Sequence, residues 1–372
     1  MSPSRSNLIT TSVILRYILP LAVIFLSSLC LYALYFVASP STPPCRTQLS
    51  VPDRESLTIP GAVYLDPNVL LRQTGEESGI ALEGIGRVGG IPRLIHQSWK
   101  NESLPYKFLE WSNSFRLRHP EWKWVLWTDE DNAALVASRH PELNESYWLL
   151  RNDIQRADFV RNLYLWEFGG VYADLDMECL RPLDALFLNP ADYQSPKLSV
   201  STHLTPESPL AFVASMEVND NDWTVRHSIP NAFMASTPHH PLWLLPLSNG
   251  MRRLLADKDW GLIDANTDVD TSSSSDANVD TETMTGPVAL LSAIESYRSS
   301  IIEKHPTSLT DLIHPILRRY ADLAPHHHNV VVLEPAVIFP FSWAVEGKNQ
   351  RGKGNGDEDV GAVRTEWLIR GI

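Results

Sequence analysis

The sequence predicts an α/β fold, in which a largely parallel sheet carries helices on both faces. Strand-like and helix-like patterns alternate along the chain from Ile91 onwards, which is typical of such sheets. The chain has 372 residues, enough for one main domain of roughly 250 to 300 residues with a sizeable core. Sheets of this kind bind ligands at the carboxyl ends of their strands, so the residues that follow each strand are the first candidates for function.

The N-terminal segment is predicted to anchor the chain in a membrane. Tyr17–Ala38 carries no charge and is long enough to cross a bilayer. Because Arg5 and Arg16 precede it, the positive-inside rule places residues 1–16 in the cytosol and the bulk of the chain in a lumen. A cleaved signal peptide is the alternative, although its apolar region is normally shorter. Two glycosylation sequons agree with a lumenal location, Asn101-Glu-Ser103 and Asn144-Glu-Ser146.

Changes in composition divide the rest of the chain. Residues 39–90 contain Pro, Gly and Glu and are predicted to form a stem that holds the domain off the membrane. The main domain is expected over residues 91–343. Within it, residues 264–284 are acidic and rich in serine, without apolar periodicity, and are predicted to be a disordered surface insertion. Residues 344–372 are rich in glycine and charge and are predicted to be a flexible tail.

The net charge disfavours one class of partner, and the cysteine content bears on disulfide and zinc binding. The formal net charge is -13, which disfavours nucleic acid because a nucleic-acid-binding protein needs a basic surface. Of the three cysteines, Cys30 lies in the apolar segment. Cys45 and Cys179 either form one disulfide or remain two free thiols, and their spacing does not fit a zinc site.

The predicted domain alternates strands and helices almost throughout. Its first half consists of strands Pro92–Trp99 and Trp122–Trp127 and helices Leu104–Arg118 and Asn132–His140. Thr128 is predicted to cap the second of these helices, whose first turn is acidic from Asp129 to Asp131. The second half consists of strands Leu210–Met216, Ile229–Ser236 and Asn329–Leu333 and helices Pro241–Ala256 and Thr285–Lys304.

The most informative stretch is Asp153–Cys179, which predicts a helix, a glycine stop, a short strand and an acidic turn. Apolar residues recur at helical spacing as far as Tyr164. Gly169-Gly170 ends the helix, as glycine commonly does. Val171–Ala173 is then a short strand, and its carboxyl end carries the acidic turn.

That turn holds two carboxylates separated by one residue, Asp174 and Asp176. Alternate side chains point the same way from an extended backbone. The pair therefore offers hard oxygen ligands for Mn²⁺ or Mg²⁺, with room left for phosphate oxygens. Most isolated Asp-x-Asp pairs lie in solvated turns. Here a predicted buried strand precedes the pair, which favours a metal site over a solvated turn.

A second charged pair, Asp158 and Arg161, lies on one side of the preceding helix. Charges inside an otherwise apolar helix are costly to bury unless they are paired or meet a polar ligand. Two interpretations remain open. The pair is either a salt bridge that holds the helix in place, or a device that recognises hydroxyl groups beside a metal-bound diphosphate.

A set of motifs in fixed order carries a family resemblance: Ile91–Trp99 (IPRLIHQSW), Trp127–Asp129 (WTD), Arg156–Arg161 (RADFVR), Gly169–Asp176 (GGVYADLD) and Thr285–Pro287 (TGP). Together they resemble the DXD-containing family 32 glycosyltransferases, which include fungal α-1,6-mannosyltransferases and mannosyl-inositolphosphoceramide synthases. The same core is similar to the sugar-transferase domains of large clostridial toxins. The resemblance covers roughly Ile91 to Trp343, and its specificity comes from the whole set.

The resemblance implies a GT-A fold, a Rossmann-like mixed sheet flanked by helices, with Mn²⁺ (or Mg²⁺) as cofactor and GDP-mannose as donor. By the same resemblance, Asp174 and Asp176 are the catalytic and metal-binding residues, with Asp176 binding the metal directly. The donor-binding candidates that it implies are Asp158, Arg161, His96, Trp99 and Asp174. For His96, an ordinary hydrogen bond at a strand end is the alternative.

The acceptor side has weaker candidates. Asn231 and His240 fall in a stretch that resembles the ceramide-type members of the family. A plain turn before a helix is the alternative interpretation.

The acidic turn and the motifs together predict a metal-dependent glycosyltransferase. The resemblance implies that it retains the anomeric configuration and transfers mannose from GDP-mannose to an inositolphosphoceramide or N-glycan acceptor. The resemblance places it in the Golgi membrane as a single-pass type II protein with a lumenal catalytic domain. One alternative is a catalytically inactive sugar-nucleotide- or glycan-binding relative. The observation that supports this alternative is that the chain after Trp343 lacks the histidine and Ser-Trp pattern that many relatives carry. A secreted hydrolase is another alternative, and it requires cleavage of the N-terminal segment and an acid/base carboxylate pair.

Overall fold

The computed structural model describes residues 63–72, 84–195, 199, 209–216, 229–259, 281–302, 309–323, 328–339 and 369–371, all within the unit Ser50–Ile372. The predicted membrane segment Tyr17–Ala38 lies outside the described residues, as do Cys45 and most of the predicted insertion and tail. Among the residues that are described, no helix is both long and apolar enough to cross a bilayer.

The strands, in chain order, are β1 Val63–Tyr64, β2 Arg87–Val88, β3 Ile91–Pro92, β4 Leu94–Ser98, β5 Lys123–Trp127, β6 Gly170–Ala173, β7 Met177–Cys179, β8 Leu210–Val213, β9 Phe233–Ser236, β10 Asn329–Val332 and β11 Ile369–Gly371. Seven of them form the central sheet in the order β1-β5-β4-β6-β9-β8-β10. Only β9 in this sheet runs antiparallel to its neighbours, β6 and β8. The predicted α/β sheet is confirmed, and it is mixed and mostly parallel.

The helices are α1 Pro67–Leu71, α2 Tyr106–Arg118, α3 Asp129–Arg139, α4 Asn144–Leu149, α5 Asp153–Glu167, α6 Asp184–Leu188, α7 Leu244–Asp259, α8 Pro287–Ile302, α9 Leu309–Leu312, α10 Arg318–Ala321 and α11 Pro335–Ile338. Thr128 begins α3 with the predicted cap. Its hydroxyl accepts from the backbone N–H of Asp131, whose carboxylate accepts from the backbone N–H of Thr128. This reciprocal pair satisfies two amides at the helix start.

Alternate residues of each strand pack against opposite layers, because successive side chains of a strand point to opposite faces. Leu94 and Val125 belong to a core cluster with buried residues of α3, α5, α7 and α8. Ile95 and Trp124 belong to a second cluster, with residues of α2, α6 and α11. The sheet is therefore covered by helices on both faces.

Gly169 and Gly170, predicted to stop the helix, do so by a backbone that only glycine adopts readily. Their φ angles are +64° and +88°. A Cβ at Gly169 would lie 2.7 Å from the carbonyl oxygen of Ser236, and one at Gly170 would lie 2.7 Å from that of Leu94. Both glycines thus allow β6 to pair between β4 and β9, which places the acidic turn at the carboxyl end of the central strand of the sheet.

The boundary of the predicted stem is wrong. Val63–Tyr64 pairs in parallel with β5 in the central sheet, and Leu70 of α1 is buried in the first core cluster. Residues 63–72 are therefore part of the domain. Because the residues around this segment include Pro and Gly, its short amphipathic pattern was not recognised in the sequence.

Two further boundaries change. Residues 281–284, the end of the predicted insertion, are helical, and Thr281 and Met284 are buried. Burial of the apolar Met284 side chain explains why these residues belong to the packed domain rather than to an exposed insertion. In the predicted flexible tail, Ile369–Gly371 pairs antiparallel with β7.

Of the two states considered for Cys179, the structure contains the free, buried thiol. Its Sγ donates to the carbonyl oxygen of Arg181 at 3.1 Å.

Candidate active site

A cavity of about 290 Å³ lies where β4, β5 and β6 end. Trp99 follows β4, Asp129 follows β5 and Asp174 follows β6, so the cavity crosses the carboxyl ends of three adjacent parallel strands. This is the position expected for a ligand site in such a sheet. The lining residues are Ser98, Trp99, Lys100, Phe108, Asp129, Asp153, Ile154, Ala157, Arg161, Tyr172, Asp174, Leu175 and Asp176.

At the β6 end, a buried arginine joins the helix to the acidic turn. Arg161 Nη2 lies 2.8 Å from Asp158 Oδ1, and Arg161 Nη1 lies 3.3 Å from Asp174 Oδ1. The guanidinium sits 4.5 Å from the centre of the Tyr172 ring, and the Tyr172 hydroxyl donates to Asp174 Oδ1 at 2.6 Å. The predicted salt bridge of the helix is therefore present, and it extends to the predicted metal ligand. Sequence reasoning missed Tyr172, although its position two residues before Asp174 puts both side chains on one face.

Asn231, predicted on the acceptor side, belongs to the same network. Its Nδ2 donates to Asp158 Oδ1 at 3.1 Å, and its carbonyl oxygen accepts from Arg161 Nη1 at 2.9 Å. The Asp158 carboxylate does not line the cavity and is 8% exposed. In this structure Asp158 and Asn231 therefore hold Arg161 in position without lining the cavity themselves.

The guanidinium of Arg161 keeps its positive charge in this network. Burial lowers the pKa of Arg161, but the nearby carboxylates Asp174 and Asp158 and the Tyr172 ring raise it more, so its pKa is raised overall. Burial raises the pKa of Asp158, an effect that Arg161 opposes. Asp176 is exposed as a residue, yet its carboxyl group is partly desolvated, and that desolvation together with Asp174 raises its pKa. An additional cation beside Asp176 would relieve this repulsion.

The two carboxylates of the turn fit a hard divalent cation. In the described part of the chain, no group of three or more His, Cys, Asp or Glu side chains is placed to hold a metal ion. Asp174 is half-buried with one oxygen held by Tyr172 and Arg161, and Asp176 is exposed. Mg²⁺ and ions like it are commonly held by one or two carboxylates, with waters and phosphate oxygens completing the shell. Asp174 and Asp176 fit that pattern.

The other end of the cavity is more apolar. Trp99 is half-buried and packs edge to face on Phe108, with the ring centres 4.9 Å apart. Its Nε1 is buried and has no hydrogen-bond partner among the described residues. The half-buried carboxylate Asp129 also lines this end. The sequence analysis placed Asp129 at the helix start and in the Trp127–Asp129 motif but gave it no role in the site, although its place just after β5 was a usable signal.

His96 is not part of the cavity wall. It is fully buried, with Nε2–H donating to the carbonyl oxygen of Gly169 at 2.9 Å and Nδ1 accepting from Trp127 Nε1 at 3.1 Å. Burial lowers its pKa to about 4, so the ring is neutral. Both nitrogens are used, which corresponds to the ordinary hydrogen-bonded alternative. The donor-binding assignment of His96 is corrected, because its side chain packs into the core between Tyr164 and Trp127.

His240 is likewise a core residue. Its Nε2–H donates to the carbonyl oxygen of Asn329 at 3.0 Å, and its Nδ1 accepts from the backbone N–H of Leu242. It is fully buried and does not line the cavity. This geometry is the turn before a helix that was the alternative to an acceptor role.

The two sequons differ in setting. Asn101 is exposed, and its side-chain oxygen accepts from the backbone N–H of Ser103 at 3.0 Å. Asn144 is half-buried at the start of α4, and Ser146 is buried. Asn101 is therefore the more accessible glycosylation candidate.

Comparison with known proteins agrees with the motifs. Residues 98–192 match the family described as "Glycosyltransferase sugar-binding region containing DXD motif". These residues include Trp99, Asp158, Arg161 and the Asp174–Asp176 turn. The predicted resemblance to DXD-containing glycosyltransferases is confirmed.

Several relatives carry mannosyltransferase names. The chain is 31% identical over 168 residues to inositol phosphoceramide mannosyltransferase 1 of Schizosaccharomyces pombe, covering 44% of each chain. It is 41% identical over 101 residues to inositol phosphoceramide mannosyltransferase 3 of the same yeast, covering 27% of this chain and 28% of the relative. An initiation-specific alpha-1,6-mannosyltransferase of Candida albicans is 30% identical over 106 residues, covering 27% of this chain and 28% of the relative. The chain thus spans less than half the length of these relatives.

A solved structure, the PaToxG glycosyltransferase, is 13% identical, with a TM-score of 0.34 over 70% of this chain and 84% of that chain. Similarity at this level does not establish a shared fold.

Proposed function

We propose that this chain is a metal-dependent, retaining mannosyltransferase of the GT-A type that uses GDP-mannose. The observation that carries the proposal is the arrangement at the end of β6. Arg161, held by Asp158 and Asn231, fixes Asp174, while Asp176 stays exposed in the cavity. A mixed sheet with its cavity at the strand ends agrees with this assignment.

The residues of the chain divide into binding and positioning roles. Asp174 and Asp176 would hold a divalent cation, which supplies positive charge to the departing diphosphate when it is bound. Arg161 presents a fixed guanidinium beside that charge and to the donor sugar. Asp158 and Asn231 orient Arg161, and Tyr172 orients Asp174 through its hydroxyl group. Because these groups are already held in place, they need not reorganise as charge develops on the departing diphosphate.

A retaining reaction places few demands on further acid or base groups in this cavity. The described carboxylates near the β6 end are already committed to Arg161, Tyr172 and the metal role. In the proposed reaction, the leaving phosphate takes the proton of the acceptor hydroxyl, so no separate general base is needed. Arg161 then stabilises the phosphate as charge develops on it.

The acceptor we favour is an inositolphosphoceramide. Two of the relatives reported above carry that acceptor in their names, at 31% and 41% identity. An N-glycan acceptor is the second candidate, supported by the similarity to the Candida albicans enzyme. Either acceptor fits the proposed location, a Golgi membrane in which Tyr17–Ala38 is the anchor and the domain is lumenal.

The test is transfer from GDP-mannose by the full chain with Mn²⁺, comparing an inositolphosphoceramide with a mannose-terminated glycan. Asp176→Asn is the matched inactive variant. Transfer that requires Asp176 supports the proposal, and the preferred acceptor decides between the two subgroups. Binding of the donor without any hydrolysis or transfer would instead identify the inactive relative.

A further inference from the structure

The residues along the cavity indicate which of its ends would hold the sugar, the diphosphate and the base of a nucleotide sugar. The Asp174–Asp176 turn follows β6, while Arg161 contacts Asn231, which precedes β9 on one side of β6. The cavity extends the other way, past Trp99 at the end of β4 to Asp129 at the end of β5. Neighbouring strands lie about 4.8 Å apart, so the β5 end is on the order of 10 Å from the β6 end. A donor with its diphosphate at Asp176 and its sugar near Arg161 therefore places its base beside Trp99 and Asp129.

Asp129 is an unusual member of the first turn of α3. Asp131 caps the helix through the backbone N–H of Thr128, and Glu130 is exposed to solvent. Asp129 instead is half-buried against the cavity, and its carboxylate makes no hydrogen bond or ion pair with another residue in the part of the chain that the structure describes. Burial raises its pKa, and the neighbouring Asp153 raises it further, while Arg156 and Lys100 lower it. Helix capping therefore does not explain this carboxylate.

A second observation points to a ligand at the same end. The aromatic side chains of Trp99 and Phe108 both line the cavity, and their rings pack edge to face with the centres 4.9 Å apart. The exposed side chain of Ile154 adds apolar surface to the wall. An apolar wall with one unpaired carboxylate suits a flat heterocycle that carries hydrogen-bond donors on one edge.

We propose that Asp129 reads the guanine base of the donor nucleotide, an inference that rests on the proposed function. Guanine presents two adjacent donors on one edge, the ring N1–H and the exocyclic amine. The two oxygens of a carboxylate accept both at once. Uracil places a carbonyl on each side of its single N–H, and adenine places a ring acceptor beside its amine, so each would set an acceptor against the carboxylate. Asp129 thus selects guanine and disfavours the other two bases.

The test measures the affinity of the full chain for GDP, IDP, UDP and ADP with Mn²⁺, by calorimetry. IDP differs from GDP only by the missing exocyclic amine. We expect GDP to bind about 10- to 100-fold more tightly than IDP, because a hydrogen bond to a charged acceptor is lost. In Asp129→Asn this preference should fall below about threefold, with IDP affinity changing less than GDP affinity. Glu130→Gln, one residue along the same helix turn, should keep the wild-type preference.

The outcomes separate this inference from the proposed function. Equal binding of GDP and IDP by the wild-type chain would overturn the role of Asp129 and leave the proposed donor in place. Tightest binding of UDP would overturn both the role of Asp129 and the GDP-mannose donor, and leave a glycosyltransferase with another donor. No binding of any nucleotide would overturn both. An unchanged preference in an Asp129→Asn variant that keeps the wild-type Tm would also overturn it. The wild-type comparison needs no variant, so a folding defect in Asp129→Asn cannot hide the answer.

Discussion

Arg161 Nη1 lies 3.3 Å from Asp174 Oδ1, so one guanidinium joins the helix before β6 to the acidic turn after it. The same group is paired with Asp158 on its own helix. Under the proposed function, stability and donor binding therefore both depend on this one side chain. A few residues earlier on the same helix, Asp153 and Arg156 make a pair with identical spacing, but the Asp153 side chain is 75% exposed, against 8% for Asp158. The two pairs form a natural comparison.

Replacing Arg161 by alanine should destabilise the fold. The substitution leaves Asp158 buried and without its cation, which typically costs about 3–5 kcal/mol. Arg156→Ala removes the matched exposed pair together with the hydrogen bond from Arg156 to the carbonyl oxygen of Leu150, and should cost about 1–2 kcal/mol. Urea denaturation of both variants measures the difference. Equal losses would show that the buried pair carries no special weight.

The same position should control donor binding. Arg161→Lys keeps the charge but not the planar fork that contacts Asp158, Asp174 and Asn231 together, so it cannot replace all three contacts. We expect the KM for GDP-mannose to rise at least about tenfold, the cost of one charge-assisted hydrogen bond. Mn²⁺ affinity, measured separately by titration, should change less. A parallel loss of metal affinity would assign Arg161 to the metal site alone.

Asp176→Asn should abolish turnover with little effect on stability. The residue is exposed, and surface substitutions usually change the free energy of unfolding by less than about 0.5 kcal/mol. Loss of a fixed charge that stabilises a transition state commonly costs about 100-fold or more in rate. Removal of metal by a chelator should reproduce the loss in the wild-type chain and add nothing in the variant. A variant that unfolds would show that the turn is structural instead.

Asn231→Ala distinguishes a positioning role from an acceptor contact. The side chain donates to Asp158, so its removal leaves a buried carboxylate with one partner fewer, at a cost of about 1–3 kcal/mol. Because Asp158 holds Arg161, the KM for the donor should rise while the KM for the acceptor stays within about twofold. A rise in the acceptor KM alone would restore the acceptor assignment.

The sequence predicted the elements well where local signals agree with packing. The capping box at Thr128 and the glycines at 169 and 170 each impose one local geometry, and both appear where expected. The turn with Asp174 and Asp176 follows from them. Sequence reasoning placed strands and helices near their observed bounds for the same reason.

What could not be predicted depends on contacts between segments distant in the chain. Asn231 meets Asp158 across 73 positions, and nothing in the local pattern specifies that pair. The strand at Val63–Tyr64 is recognisable only through its pairing with β5. His96 was misassigned because a strand end near a ligand site and a strand interior packed on Trp127 look alike in sequence.

The buried His96 should make the stability of the fold depend on pH. Its pKa is lowered from 6.5 to about 4 by burial, so the folded chain binds this proton more weakly than the unfolded chain. Stability is therefore complete above about pH 6.5 and is lost as pH falls toward 4, by about 2 kcal/mol at pH 5. His96→Gln, which retains a donor and an acceptor, should be less stable at pH 7.5 yet lose about 2 kcal/mol less than wild type between pH 7.5 and pH 5. The other histidines with lowered pKa values, His119, His239, His240 and His314, are common to both proteins and cancel in this comparison. Denaturation curves at the two pH values supply the test, and parallel losses in the two proteins would show that His96 is not the residue that titrates.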